Sequence, residues 1–185
     1  PSGVKWLYIF AQGMVFWDSD PYVQNRWLCV FLFTASLTLF LEWNFGPCLR
    51  KKMLAVLFFL SIPRLFAHAH FAATDMPMTA FLMLFVVASD RTTTKGGAWL
   101  PGILLGILAS IKITSLLFAL PYLIFFLVVS RKAWKKALQN LLILCSTASL
   151  TFYLVNPDWW FSPLSRSLEF ITQTVTRKDW TPFTV

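Results

Sequence analysis

An arginine, two histidines and an aspartate stand together in RLFAHAHFAATDMP at 64–77, with apolar runs on both sides, MLAVLFFLSI before and MTAFLMLFVVAS after. Arg64 is four residues before His68, one helical turn along the same face, and His70 is five residues before Asp75. Ionisable groups at such a depth are costly unless they face a wet cavity or one another, so Arg64, His68, His70 and Asp75 are candidate ligand-binding residues. Lys112, in LLGILASIKITSLL, is the sole charge between Lys95 and Arg131 and is a candidate phosphate contact. A cation, two imidazoles and a carboxylate thus gather at the facing ends of two adjacent apolar runs.

Each of these residues also has a plainer reading. Thr74 or Asp75 suits a helix N-cap, with Pro77 in the first turn where its missing N–H costs nothing. The histidines and Lys112 suit side chains that reach up to water from a helix end. Zinc on His68, His70 and Asp75 is disfavoured, because H-x-H on a helix points its rings to different sides; no metal site is assigned, and a divalent metal is left open. Trp159 and Trp160, in NPDWW, fit an interfacial belt better than a sugar-stacking platform.

The elements that must position these groups are apolar. The 185-residue chain is 57% hydrophobic, with 19 Phe and 9 Trp and only 13% charged residues, and its mean hydropathy is +0.65. That composition predicts an all-α, polytopic integral membrane protein and excludes an ordinary soluble domain. The net charge of +8 sits in Lys and Arg at the ends of apolar segments, which indicates topology signals and lipid headgroups and not nucleic acid. Cys29, Cys48 and Cys145 are too widely spaced for a metal motif or a disulfide framework, and are read as packing residues.

Apolar runs at about 27–44, 53–68, 74–89, 98–110, 113–130 and 137–155 predict about six membrane helices, with a break at Lys112. The whole of 1–185 reads as one membrane domain. Residues 1–26 form an outer, interfacial segment, 27–155 the bundle, and 156–185 an outer loop followed by an amphipathic helix along Leu164, Leu168, Ile171 and Val175. The basic loops at 49–52, 90–97 and 131–136 alternate onto one side, which the positive-inside rule makes cytoplasmic. Six of the eight acidic residues then fall on the outer face, Asp18, Asp20, Asp75, Asp158, Glu169 and Asp179.

The order PRLFAHAHFAATDMPMTAF, a basic loop, GILLGILASIKITSLLFALPYLIFF and then NPDWWFSPLSRSLEF resembles the GT-C membrane glycosyltransferases. It is most similar to the glycosyltransferase 39 group of protein O-mannosyltransferases and to their aminoarabinose-transferase relatives. The resemblance rests on an Asp at the start of a span, a Gly-rich span running into a Lys, and Asn-Pro with tryptophans after the last span. It implies transfer of a sugar from a polyprenyl-phosphate carrier to a protein, lipid or glycan acceptor, on the extracytoplasmic face of a bacterial inner membrane, with no cofactor assigned. It also implies a main catalytic carboxylate in a first outer loop, expected upstream of Pro1; Asp18 and Asp20 are not assigned that part. Many members carry Arg five residues before the aspartate that matches Asp75, where this chain has His70.

The other reading is a transporter or channel segment with a His/Asp relay on its outer face. Such a segment would place ionisable or helix-breaking positions near mid-span and show internal symmetry, whereas here the polar groups sit at span ends and no repeat is visible. The topology is open to a direct check. In intact cells, an impermeant thiol reagent should label Ser165→Cys and spare Thr93→Cys, and the opposite pattern would reverse the orientation.

Overall fold

The computed structural model describes residues 5–6, 9, 12–13, 21–61, 75–95, 97–129, 134–157, 160–162, 165–166, 168–169 and 172. Among them every regular element is helical: α1 (Pro21–Phe45), α2 (Leu49–Ser61), α3 (Asp75–Lys95), α4 (Trp99–Ile111), α5 (Ser115–Val129) and α6 (Trp134–Val155). Each covers one of the apolar runs of the sequence. Arg64, His68 and His70 lie outside the described residues, as does the end of the expected 53–68 run.

Local chemistry explains where these helices begin and end. Pro21 opens α1, since proline is preset for a first turn and lacks only an N–H that would be unpaired there. Gly46 closes it at φ 52°, with its N–H donating to the Glu42 carbonyl at 3.1 Å. A side chain at that φ would be strained. At the far end of α4, Lys112 is extended, at φ −158° and ψ 115°, and its N–H donates to the Leu108 carbonyl. Three short backbone bonds then turn the chain into α5, from the N–H groups of Ser115, Leu116 and Leu117 to the carbonyls of Lys112, Ile113 and Thr114. The expected break at Lys112 is therefore a turn between two separate helices, and Pro121 interrupts the second.

α4 is the hub, packing on α6, on α3 and beside α5, while α1 packs on α3 and α2 leans on α1. One apolar cluster joins Phe85 of α3, Leu105 and Leu108 of α4, Ala119 of α5 and Leu144 of α6. A second joins Cys29 and Phe33 of α1 to Met76 and Met83 of α3. Cys29 is thus a packing residue as expected, whereas Cys145 is exposed.

Trp43 near the end of α1 donates from Nε1 to Asp90 Oδ2 near the end of α3 at 2.6 Å, so these two helices run in the same direction. Lys52 pairs with Glu42 at the same end of the bundle. The basic segments expected as loops are helical here, 49–52 in the first turn of α2 and 90–95 in the last turns of α3; they consequently share an end, and Asp75 and Lys112 share the other.

The exterior is as apolar as the interior. Phe31, Phe58, Leu117 and Leu142 are among many large side chains left exposed, which in water would be an aggregation surface and in lipid is ordinary. Val23–Phe45 and Trp134–Val155 are long and apolar enough to cross a bilayer by length and composition. α4 is shorter: its 13 residues reach about 20 Å at 1.5 Å per residue, against a hydrocarbon core of about 30 Å.

The contact of α4 with α6 has no room for side chains. A Cβ on Gly102 would lie 2.7 Å from the Leu144 carbonyl oxygen, and one on Gly106 would lie 2.5 Å from the Ala148 carbonyl oxygen and 2.7 Å from Thr151 Cβ. Backbone cannot yield as a side chain tip can. Gly106→Ala should therefore destabilise by about 1–3 kcal/mol, because overpacking outweighs the gain of about 1 kcal/mol in helix propensity. Thermal unfolding in detergent checks this. Gly13→Ala, where nothing lies within 4 Å, should not lower the midpoint and should raise it slightly through helix propensity.

Candidate functional site

Asp75 is the first residue of α3 and Lys112 the first after α4. Because α3 and α4 pack against each other, with the start of one beside the end of the other, 37 residues of sequence close to a contact: Lys112 Nζ donates to Asp75 Oδ1 at 2.9 Å. Each charge stands at the helix end that favours it, the carboxylate at an N-terminus and the ammonium at a C-terminus. The lysine side chain is 44% exposed and the aspartate 31%. A pair that wet is weak, on the order of 0.2–1 kcal/mol, and opens readily.

The pair joins two of the five residues singled out in the sequence. Arg64, His68 and His70 fall on the segment that is not described, so their relation to the pair rests on sequence spacing alone. Asp75 is the first helical residue of α3, in the first turn with the buried Pro77, and its carboxylate bonds to Lys112; Thr74, the other candidate cap, lies outside the described residues. Among the described residues, no cluster of three or more His, Cys, Asp or Glu is arranged to hold a metal ion.

Beside Lys112 runs a groove of about 410 Å³ that sequence reasoning did not find. Leu105, Gly106 and Ala109 of α4 form one wall, Ala148, Ser149, Phe152 and Tyr153 of α6 the other, and Ile113 and Leu116 lie at the turn next to Lys112. Its surface is mostly apolar. The groove exists because the small residues that bring α4 and α6 together leave space on the flank of the contact. The signal available in the sequence was the four-residue spacing of Gly102, Gly106 and Ser110, which puts small residues on one face. Another hollow of about 270 Å³ borders Val23, Arg26, Trp27 and Val30 of α1. The groove at α4 is the better candidate because it adjoins the charge pair.

The mouth of the groove is braced at the end of α6. Trp160 donates from Nε1 to the Tyr153 carbonyl at 2.8 Å, and Tyr153 donates its hydroxyl to the Trp160 carbonyl at 3.2 Å. The first bond holds the indole and the second the Trp160 backbone, so Trp160 closes a helix end, a role that its sequence position does not reveal. Asn156, buried at the same end, donates from Nδ2 to the Phe152 carbonyl at 2.6 Å. Two further polar atoms at this end of the bundle, Asn25 Oδ1 and Ser115 Oγ, are buried without a hydrogen-bond partner. Beyond the loop, Arg166 pairs with Glu169 three residues on at 2.9 Å; Leu164, Ile171 and Val175 of the expected amphipathic helix lie outside the described residues.

No curated protein and no solved structure matches the chain. The profile of glycosyltransferase family 87 matches residues 10–183. That match does not favour the transporter or channel reading, and it names a different group from the family 39 enzymes whose motifs the sequence resembles. The helical bundle with its exposed apolar faces, the charge pair at its end and the span of this match lead to one conclusion: the chain belongs to glycosyltransferase family 87, a family of membrane glycosyltransferases.

Proposed function

We propose that this membrane glycosyltransferase takes its sugar from a polyprenyl-phosphate carrier and transfers it to a protein, lipid or glycan acceptor. The observation that carries this reading is a lysine at the end of an apolar groove: Ile113, next to Lys112 in the chain, and Ala109, one turn back in α4, line the groove, while the ammonium itself rests on Asp75 within a side-chain swing of it. A ligand that fits both has an anionic head and a hydrocarbon tail. A polyprenyl phosphate has both, and a nucleotide sugar lacks the tail.

In the reaction, the acceptor hydroxyl attacks the anomeric carbon and gives its proton to a carboxylate base, while the bond from that carbon to the phosphate oxygen breaks with its electron pair going to the phosphate. Lys112 stabilises the charge that collects there, by a charge-assisted hydrogen bond. Arg64 and His70, with His68 nearby, add positive charge or hydrogen bonds to the same phosphate in this reading. The segment that bears them runs directly into Asp75. The catalytic centre faces the extracytoplasmic side of a bacterial inner membrane, with about six spans and the basic loops in the cytoplasm. This orientation is supported by the shared end of the basic segments at 49–52 and 90–95 and by their Lys and Arg.

A titration of the lipid donor tests the reading in the full-length enzyme in nanodiscs. Lys112→Gln should raise the apparent KM for the polyprenyl-phosphate sugar by about 5- to 150-fold, the scale of a lost charge-assisted hydrogen bond, and Lys112→Arg should retain more activity than Gln. An unchanged KM in Lys112→Gln would remove the lysine from the donor site.

A further inference from the structure

We infer that Asp75 is a displaceable counter-ion: the phosphate that binds Lys112 takes the lysine away from Asp75 and leaves the carboxylate unpaired only while donor is bound. This rests on the reading of Lys112 as the phosphate contact. It adds a role for Asp75 that the reading does not require.

The geometry of the pair argues for exchange over a three-membered cluster. Asp75 Oδ1 lies 2.9 Å from Lys112 Nζ, so a phosphate oxygen within hydrogen-bond reach of the same ammonium would be only about 5 Å from the carboxylate, where like charges repel. The ammonium has three donors and could touch both anions, but their mutual repulsion weakens the hold of each on it, so the carboxylate and the phosphate compete for the same lysine.

Both partners are built to separate. Their side chains are 44% and 31% exposed, so water can solvate each charge as the contact breaks. Asp75 keeps a favourable position at the N-terminus of α3 whether or not it holds the lysine. The backbone of Lys112 is pinned on both sides, by its own N–H on the Leu108 carbonyl at 3.0 Å and by the Ser115 N–H on its carbonyl at 2.8 Å. Movement is therefore confined to the flexible side chain, which can swing from the α3 side of the turn toward the groove side where Ile113 and Leu116 lie.

Asp75 is on this account a positioning residue, and the sign of its effect on binding sets it apart from a structural brace. A brace that holds Lys112 in its binding pose weakens carrier binding when removed; a competitor strengthens it. The probe is a fluorescent, sugar-free polyprenyl phosphate titrated onto the full-length protein in nanodiscs. Asp75→Asn should bind it about two- to fivefold more tightly than wild type, the scale of a wet ion pair, while sugar transfer falls. Asp75→Ser, which also caps a helix, should give the same gain and guards against a folding defect peculiar to one variant. In a Lys112→Gln background the gain should shrink toward unity, because no ammonium remains to compete for.

Unchanged or weaker binding by both Asp75 variants overturns the exchange and leaves the donor reading intact. A full gain that persists without Lys112 also overturns it, since simple repulsion would then explain the effect. Failure of the wild-type protein to bind the probe overturns the donor reading itself, and the exchange with it.

Discussion

The candidate site depends on how closely α4 can approach α6. Gly102 and Gly106 present bare backbone to Leu144, Thr147, Ala148 and Thr151, and no larger residue fits at either position. In lipid there is no hydrophobic driving force between helices, so association relies on close packing, and glycine is the residue that permits it. Because α4 also packs on α3 and beside α5, that single contact sets the position of everything attached to the hub. It places Lys112 at the end of the bundle beside the start of α3. It also leaves the groove along its own flank, where Ala109 and Ser149 are too small to fill the space.

Polar interactions then divide between the two ends of an otherwise apolar body. At one end the indole of Trp43 is held by Asp90 and Lys52 by Glu42. At the other, Lys112 is held by Asp75, and the end of α6 is closed by Tyr153, Asn156 and Trp160. Between the ends, serine and threonine hydroxyls turn inward on their own helices, as Ser36 does to the Leu32 and Phe33 carbonyls and Thr147 to the Ile143 carbonyl. This distribution suits a low-dielectric slab with water on both sides, where an unpaired polar group costs most in the middle. The Lys112–Asp75 pair differs from a buried ion pair in that water reaches both partners. Being wet, it opens readily and contributes little to holding the fold together.

Membership of a membrane glycosyltransferase family fits an apolar bundle whose charges are kept to its ends. Charge is scarce in this part of the chain, with Lys112 the sole one between Lys95 and Arg131, because an ionisable group within an apolar span is costly wherever the helix lies.

Much of this was legible in one dimension. The six apolar runs and their ends follow from hydropathy together with Pro21, Gly46 and the break at Lys112, because helix periodicity and termini are local properties of sequence. That Asp75 and Lys112 stand at the ends of apolar runs was legible too, and it singled them out because an ionisable group beside an apolar run is expensive wherever the helices lie. That these two residues touch was not, because it depends on which helices are neighbours and in which direction they run. Nor could composition reveal the groove, which is a space left between two helices by the absence of side chains. Sequence determined by itself that the chain is a set of apolar helices with charges at their ends. Only tertiary packing, through the close contact of α4 with α6 and of α4 with α3, decided which charges meet and what lies beside them, since helix-to-helix contacts are set by shape and not by local propensity.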